Sequence, residues 1–214
     1  KLLSQVAPHI PVVFVLGNHE FFNRTVDETR DFYWDIYKPE KYNVHCLDVI
    51  GHYDIDGVRF LGNALLYDGS TKTISSQDMS TFADGCWADR FIKDFDWEKE
   101  CRKNVQRIRE NMPTPEDNFR STILVTHCVP HIKLNAHVRN GIGSVFDAYS
   151  GVADLFHMLD TTLSLNVGID WAVCGHTHRR CVGDYIRGCC CVNVGSDYFS
   201  MGYGLSHFTI EVPE

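Results

Sequence analysis

Val12-Val13-Phe14-Val15-Leu16-Gly17-Asn18-His19-Glu20 opens as an apolar, β-rich run and turns polar without a transition. The run reads as a strand buried on both faces, because a half-exposed strand would alternate with polar residues. The same grammar returns twice. Ile123-Leu124-Val125 ends at Thr126-His127, and Trp171-Ala172-Val173-Cys174 ends at Gly175-His176-Thr177-His178. In open α/β sheets, ligands bind beyond the carboxyl ends of the strands. Convergence of these three strand ends would gather Asn18, His19, His127, His176 and His178 in one crevice. Amide oxygens and imidazoles suit Mn, Fe, Zn or Ni, and the Gly ahead of a cluster would let the backbone turn sharply at the sheet edge.

Around these strands the chain alternates strand-like and helix-like patterns, the signature of an α/β layered fold. Thr25 and Glu28 form a capping box for a helix whose face is Val26, Tyr33, Ile36 and Tyr37 and whose stop is Pro39. Asn43 to Val49 reads as a strand. Tyr53, Ile55, Val58 and Phe60 alternate around Asp56-Gly57, a hairpin with a type I′ turn. Trp97, Cys101, Val105, Ile108 and Met112 repeat at helical spacing, with Asp96 as the cap and Pro113 as the stop. Val152, Leu155, Phe156, Leu159 and Leu163 predict another helix. Cys190 to Val194 and the alternation Phe208, Ile210, Val212 predict two closing strands. The tally is about seven strands and three helices. Residues 68–96 and the loop 131–150 are polar and aperiodic, as a lid or pocket-shaping loop would be.

The 214 residues suit one domain, over 1–214, and about 70% of the surface can be buried without staples. Hydrophobic residues at 44% and charged residues at 22% exclude a disordered, collagenous or coiled-coil chain. No apolar run approaches the length of a membrane span. The net charge of −8 disfavours nucleic-acid or anionic-membrane binding through bulk charge. The nine Cys are odd in number and lack any C-x-x-C pair, which predicts a reducing, cytoplasmic compartment rather than a disulfide framework.

The G-N-H-E block at Gly17 to Glu20, the strand-end His127 and the G-H-T-H block at Gly175 to His178, in this order, resemble the calcineurin-like metallophosphoesterases. The resemblance runs from about Pro11 to the C-terminus. It implies a metallophosphatase-type β-sandwich of two mixed sheets flanked by helices, and two divalent metal ions as cofactors. It further implies that Asn18, His127 and His176 bind one metal and His178 the other, with His19 beside the scissile phosphate as a general acid or charge stabiliser. Glu20 would orient His19. The activity implied is hydrolysis of a phosphomonoester or phosphodiester, by a hydroxide made on two metals that also clamp the phosphoryl oxygens. The family pattern also has an upstream D-x-H and a G-D-x-x block. Residues 1–214 contain no D-x-H, and Gly183-Asp184 follows the last motif, which argues against a permuted order. The expectation is therefore a domain whose N-terminal strands and first carboxylate ligands lie outside these residues.

Other readings compete. His131, His137 and Arg139 follow the His127 strand and could touch substrate, though polar loop residues near a site are more often simply solvated. Where the family often has a second His after the strand-end His, this chain has Cys128. Cys174, His176, His178 and Cys181 could form a structural zinc site, but four ligands within eight residues starting inside a strand cannot readily form one tetrahedron. Cys189 to Cys191 read as small buried hydrophobes. Lys99, Arg102, Lys103, Arg107 and Arg109 make a basic helix face that could meet nucleic acid in a nuclease subtype, or could be a solvated side. The absent carboxylates leave a non-catalytic scaffold as the alternative to an enzyme. There is no G-x-x-x-x-G-K-[ST], no G-x-S-x-G, and no second His after His19-Glu20 to make a zinc-protease helix.

Overall fold

A computed structural model of the protein describes residues 10–37, 43–73, 91–135, 145–160, 168–178, 180–195 and 209–212. Strand β1 (Val12–Phe14) pairs in parallel with β2 (Val44–Cys46), Val12 opposite Val44. The other strands are β3 (His52–Ile55), β4 (Val58–Asn63), β5 (Ser121–Thr126), β6 (Trp171–Cys174), β7 (Cys181–Ile186) and β8 (Cys189–Asn193). They form one six-stranded mixed sheet in the order β3-β4-β5-β6-β8-β7. Its centre, β4, β5, β6 and β8, is parallel, and an antiparallel hairpin finishes each edge. Parallel neighbours send their carboxyl ends to one side, so Asn63, His127, Gly175 and Val194 leave the sheet together.

The helices follow their sequence signals. In α1 (Val26–Ile36) the capping box is complete: Glu28 N–H donates to Thr25 Oγ1 at 3.1 Å and Thr25 N–H to the Glu28 carboxylate at 2.8 Å. A short α2 (Leu47–Ile50) precedes β3. In α3 (Trp97–Glu110) Asp96 accepts from Lys99 N–H at 3.0 Å. Its Cys101, Val105 and Ile108 pack with Leu61, Leu65 and Leu124 in the main core, each large apolar side chain contributing about 1.5–3 kcal/mol. Finally, α4 (Leu155–Asp160) packs Leu155, Phe156 and Leu159 on the same core. A second cluster, containing Leu16, Phe21, Cys46, Ala64 and Leu66, joins β1 and β2 to the end of β4.

Several expectations need correction. β1 is half-buried rather than buried on both faces. The strand expected over Asn43 to Val49 stops at Cys46, because α2 turns Asp48 inward to accept two backbone N–H groups. β7 had no counterpart in the sequence reading; it turns into β8 through Arg187-Gly188, both at positive φ like Asp56-Gly57 in the β3–β4 hairpin. Residues 209–212 form no strand, and eight strands are present among the described residues. Trp97 is more exposed than a core position would be, its ring set edge-on to Tyr67. Two cations of the α3 basic face reach main-chain carbonyls, Arg107 that of Val49 and Arg109 that of Met158, and Lys103 pairs with Glu100 on the same helix, while Lys99 and Arg102 stay exposed. Pro39, Leu163, residues 74–90 of the polar stretch, Phe208 and the loop residues 136–144 lie outside the described residues.

The close pairing of β4 with β5 rests on Gly62, at φ +150, where an added Cβ would lie 1.8 Å from the Val125 carbonyl oxygen. Gly62→Ala should destabilise the protein by at least about 3 kcal/mol, read as a lower urea midpoint. A midpoint equal to wild type would mean that the strands can separate without cost.

Candidate active site

The Gly17-Asn18-His19-Glu20 block leaves β1 as a single 3-10 turn, Asn18–Phe21. Gly17 N–H donates to the Glu20 carboxylate at 2.8 Å, so Glu20 caps the turn that carries His19; it is not seen on the His19 ring. Just upstream, Leu16 N–H donates to one oxygen of Asp48 at 2.7 Å and Ala64 N–H to the other at 2.8 Å. That fully buried carboxylate ties the block to the end of β4, and burial pushes its pKa up. Gly17 has an ordinary extended backbone, φ −91. Its role is close approach, since a Cβ would stand 2.9 Å from a Glu20 oxygen and 3.1 Å from a His127 ring carbon.

The sharp geometry falls on the histidines instead. His176 and His178 both adopt left-handed backbone, φ 63 and 55, at about 1–2 kcal/mol each for a residue with a Cβ. Strain of this kind concentrates at functional sites and persists only where the surroundings enforce it. The enforcement is visible: Gly175 N–H donates to the His127 carbonyl at 3.0 Å, and Asn193 Nδ2 donates to Thr177 Oγ1 at 2.7 Å.

Asn18, His127 and His176 meet. His127 Nε2 lies 3.0 Å from Asn18 Oδ1 and 3.0 Å from His176 Nδ1, with the two imidazole rings 4.9 Å apart and steeply inclined. His176 Nε2–H donates to the Tyr149 carbonyl at 2.8 Å, a main-chain partner with no side-chain signature in the sequence. His19 is exposed and stacks on Phe22, ring centroids 4.7 Å apart. Burial first, then the imidazoles of His176, His178 and His19, push the His127 pKa down to about 3. All four histidines are therefore electrostatic neighbours.

That depression has a signed consequence for the metal-free protein. Below the ordinary pKa of about 6.5 the unfolded chain takes a proton that folded His127 refuses, so its contribution to stability is present above pH 6.5 and lost as pH falls toward 3. In chelator, acidification from pH 7 to 5 should lose about 2 kcal/mol through this residue, or about 4–8 °C in Tm. His127→Gln should flatten the pH dependence of the melting temperature; an unaltered slope would assign the acid sensitivity to other groups.

The remaining candidates sort differently. His131 Nδ1 accepts from Lys133 N–H at 3.1 Å, capping a 3-10 turn, and its ring leans on Phe156. His137 and Arg139 lie outside the described residues. Cys128 is fully buried in the main core. Cys174 is likewise a core residue, which leaves the mixed Cys/His zinc site unsupported. Among the described residues no three His, Cys, Asp or Glu side chains assemble as a metal site. The set that does converge contains the amide of Asn18. Asn18 Oδ1 and His176 Nδ1 each lie 3.0 Å from His127 Nε2, and one amide oxygen with two imidazole nitrogens is a donor set that suits a divalent ion of intermediate hardness.

A family model for calcineurin-like phosphoesterases matches residues 1–180, a span that includes all three strand-end blocks. No curated protein sequence matches the chain. Among solved structures, a phosphopantetheinyl hydrolase from Mycobacterium tuberculosis superposes with a TM-score of 0.62 over 88% of this chain and 70% of that one, at 17% identity, which establishes a shared fold. With the metallophosphatase-type architecture and the matched blocks together, the chain belongs to the calcineurin-like phosphoesterases, a family of phosphate-ester hydrolases.

Proposed function

We propose that the protein hydrolyses a small phosphomonoester or phosphodiester with two divalent metal ions, in one domain over residues 1–214. The observation that carries this reading is the meeting of Asn18 Oδ1, His127 Nε2 and His176 Nδ1, at 3.0 Å spacings, beyond the ends of the parallel strands. These three would hold one metal and His178 would contribute to the other. When bound, the ions polarise the phosphoryl oxygens and provide a hydroxide nucleophile at neutral pH. The chain's own residues do the rest. Burial keeps His127 from taking a second proton down to about pH 3, so a neutral imidazole would be the ligand over the working range. His19, exposed on its capped turn, would protonate the leaving oxygen.

Partner chemistry follows from charge. With a net charge of −8 and two of the α3 arginines, Arg107 and Arg109, turned to main-chain carbonyls, a small phosphate ester fits better than a nucleic acid. The described helices include none long and apolar enough to cross a membrane, and the eight described cysteines are buried free thiols, which supports a reducing, cytoplasmic setting.

The test is elemental analysis of the purified protein after Mn²⁺ loading and dialysis, paired with hydrolysis of an aryl phosphodiester and an aryl phosphomonoester. Bound metal with turnover that chelator abolishes is the expected result. Absence of both from the metal-loaded protein would overturn the catalytic reading in favour of a scaffold.

A further inference from the structure

We propose that Asp147 is a positioning residue for the metal-binding cluster: it anchors the turn 145–150 so that the Tyr149 carbonyl holds the proton of His176 on Nε2 and leaves Nδ1 as the donor atom. The inference rests on the metal-site reading above. A carbonyl oxygen can only accept, so the 2.8 Å contact from His176 Nε2 fixes which ring nitrogen carries hydrogen. Nδ1 then faces His127 Nε2 at 3.0 Å as a lone pair, and by the same rule His127 Nε2, also 3.0 Å from the Asn18 amide oxygen, carries its own hydrogen in the metal-free protein. Rotation of the Tyr149 peptide would remove the constraint on His176 and allow its other tautomer, with a proton on the nitrogen that would have to bind the ion.

The turn is held from three directions. Asp147 is fully buried. One carboxylate oxygen accepts from Asn135 Nδ2 at 2.9 Å, and the other from the Thr73 hydroxyl. Its own carbonyl accepts from the Thr71 hydroxyl and from Ser150 N–H at 3.1 Å. The Ser150 carbonyl in turn accepts from Val129 N–H at 2.9 Å, two residues past His127. Tyr149 thus sits between two positions pinned to the rest of the fold. The Asn135 amide can only donate to residue 147, whereas the Thr73 hydroxyl can donate or accept, so Asn at 147 could keep both contacts by reversing the Thr73 hydroxyl and only an apolar residue removes them. Partners that fix the tautomer of a ligating imidazole commonly set metal affinity by 10–100-fold.

The experiment reads tautomer and affinity separately. Long-range ¹H–¹⁵N correlation spectra of the metal-free, uniformly labelled protein should show His176 protonated at Nε2; an Nδ1–H form, or a mixture, overturns the proposal without any variant. Mn²⁺ titration by calorimetry should then show Asp147→Ala, which removes both acceptors, binding roughly 10–100-fold more weakly than wild type. Asp147→Asn, which can keep both contacts once the Thr73 hydroxyl reverses, should recover most of the loss. Wild-type affinity in Asp147→Ala, with wild type binding Mn²⁺ normally, defeats the positioning role alone. Failure of the wild type to bind any divalent ion defeats the metal-site reading and the proposal with it.

Discussion

Turnover of a phosphate ester falls by roughly 10²–10⁴ when His19 is replaced by alanine, while the melting temperature stays within a degree or two of wild type. Both halves of that expectation come from position. His19 is exposed at the carboxyl end of β1, its ring in contact with Phe22 and its turn capped by Glu20 on Gly17 N–H, so the fold does not depend on the imidazole. It stands outside the Asn18–His127–His176 contacts, so metal content should also survive. Steady-state kinetics with an activated aryl leaving group, which needs no protonation, should narrow the gap between His19→Ala and wild type. Equal loss with activated and unactivated substrates would show that His19 stabilises phosphoryl charge rather than protonating the leaving oxygen. No loss would remove it from the chemistry.

Asp48→Ala is the largest expected stability loss, about 3–5 kcal/mol by chemical denaturation. The side chain is fully buried and accepts from Leu16 N–H and Ala64 N–H, so its removal strands two buried main-chain donors. Burying the carboxylate already costs something, as its raised pKa shows. The folded form holds that proton more tightly than the unfolded chain, so this residue favours folding most at acid pH and less as pH rises through its folded pKa. The substitution should also loosen the turn bearing Asn18 and His19, since Leu16 lies two residues before Asn18. A stability within 1 kcal/mol of wild type would mean that α2 rearranges to supply another acceptor.

Much of this architecture could be read from local pattern. The Thr25–Glu28 box, the Asp56-Gly57 turn, the α3 period and the three apolar runs all rest on contacts between near neighbours or on burial alone. What could not be read depends on distant partners. Leu47 to Ile50 carries strand-forming residues yet coils, because the Asp48 acceptor is claimed by Leu16 and Ala64. β7 was hidden because Arg187, unlike Asn or Asp, is an uncommon residue at positive φ. At the site, the motifs announced Asn18, His127 and His176. They did not announce the Tyr149 carbonyl, since a main-chain acceptor leaves no mark on residue identity. His131 carried a ligand-type side chain whose only described hydrogen bond caps its own turn.

The sheet order also dictates when the site comes into being during folding. Asn18 and His127 are 109 residues apart and His127 and His176 a further 49, and β5 and β6 reach each other only by parallel pairing across a crossover. Such non-local pairings are slow to form, because the entropy of closing long loops opposes them before any contact offsets it. No local fragment of the chain carries a working subset of the three donors. Refolding should therefore recover secondary structure first and metal affinity last, so that a chelating-site signal marks arrival at the native topology.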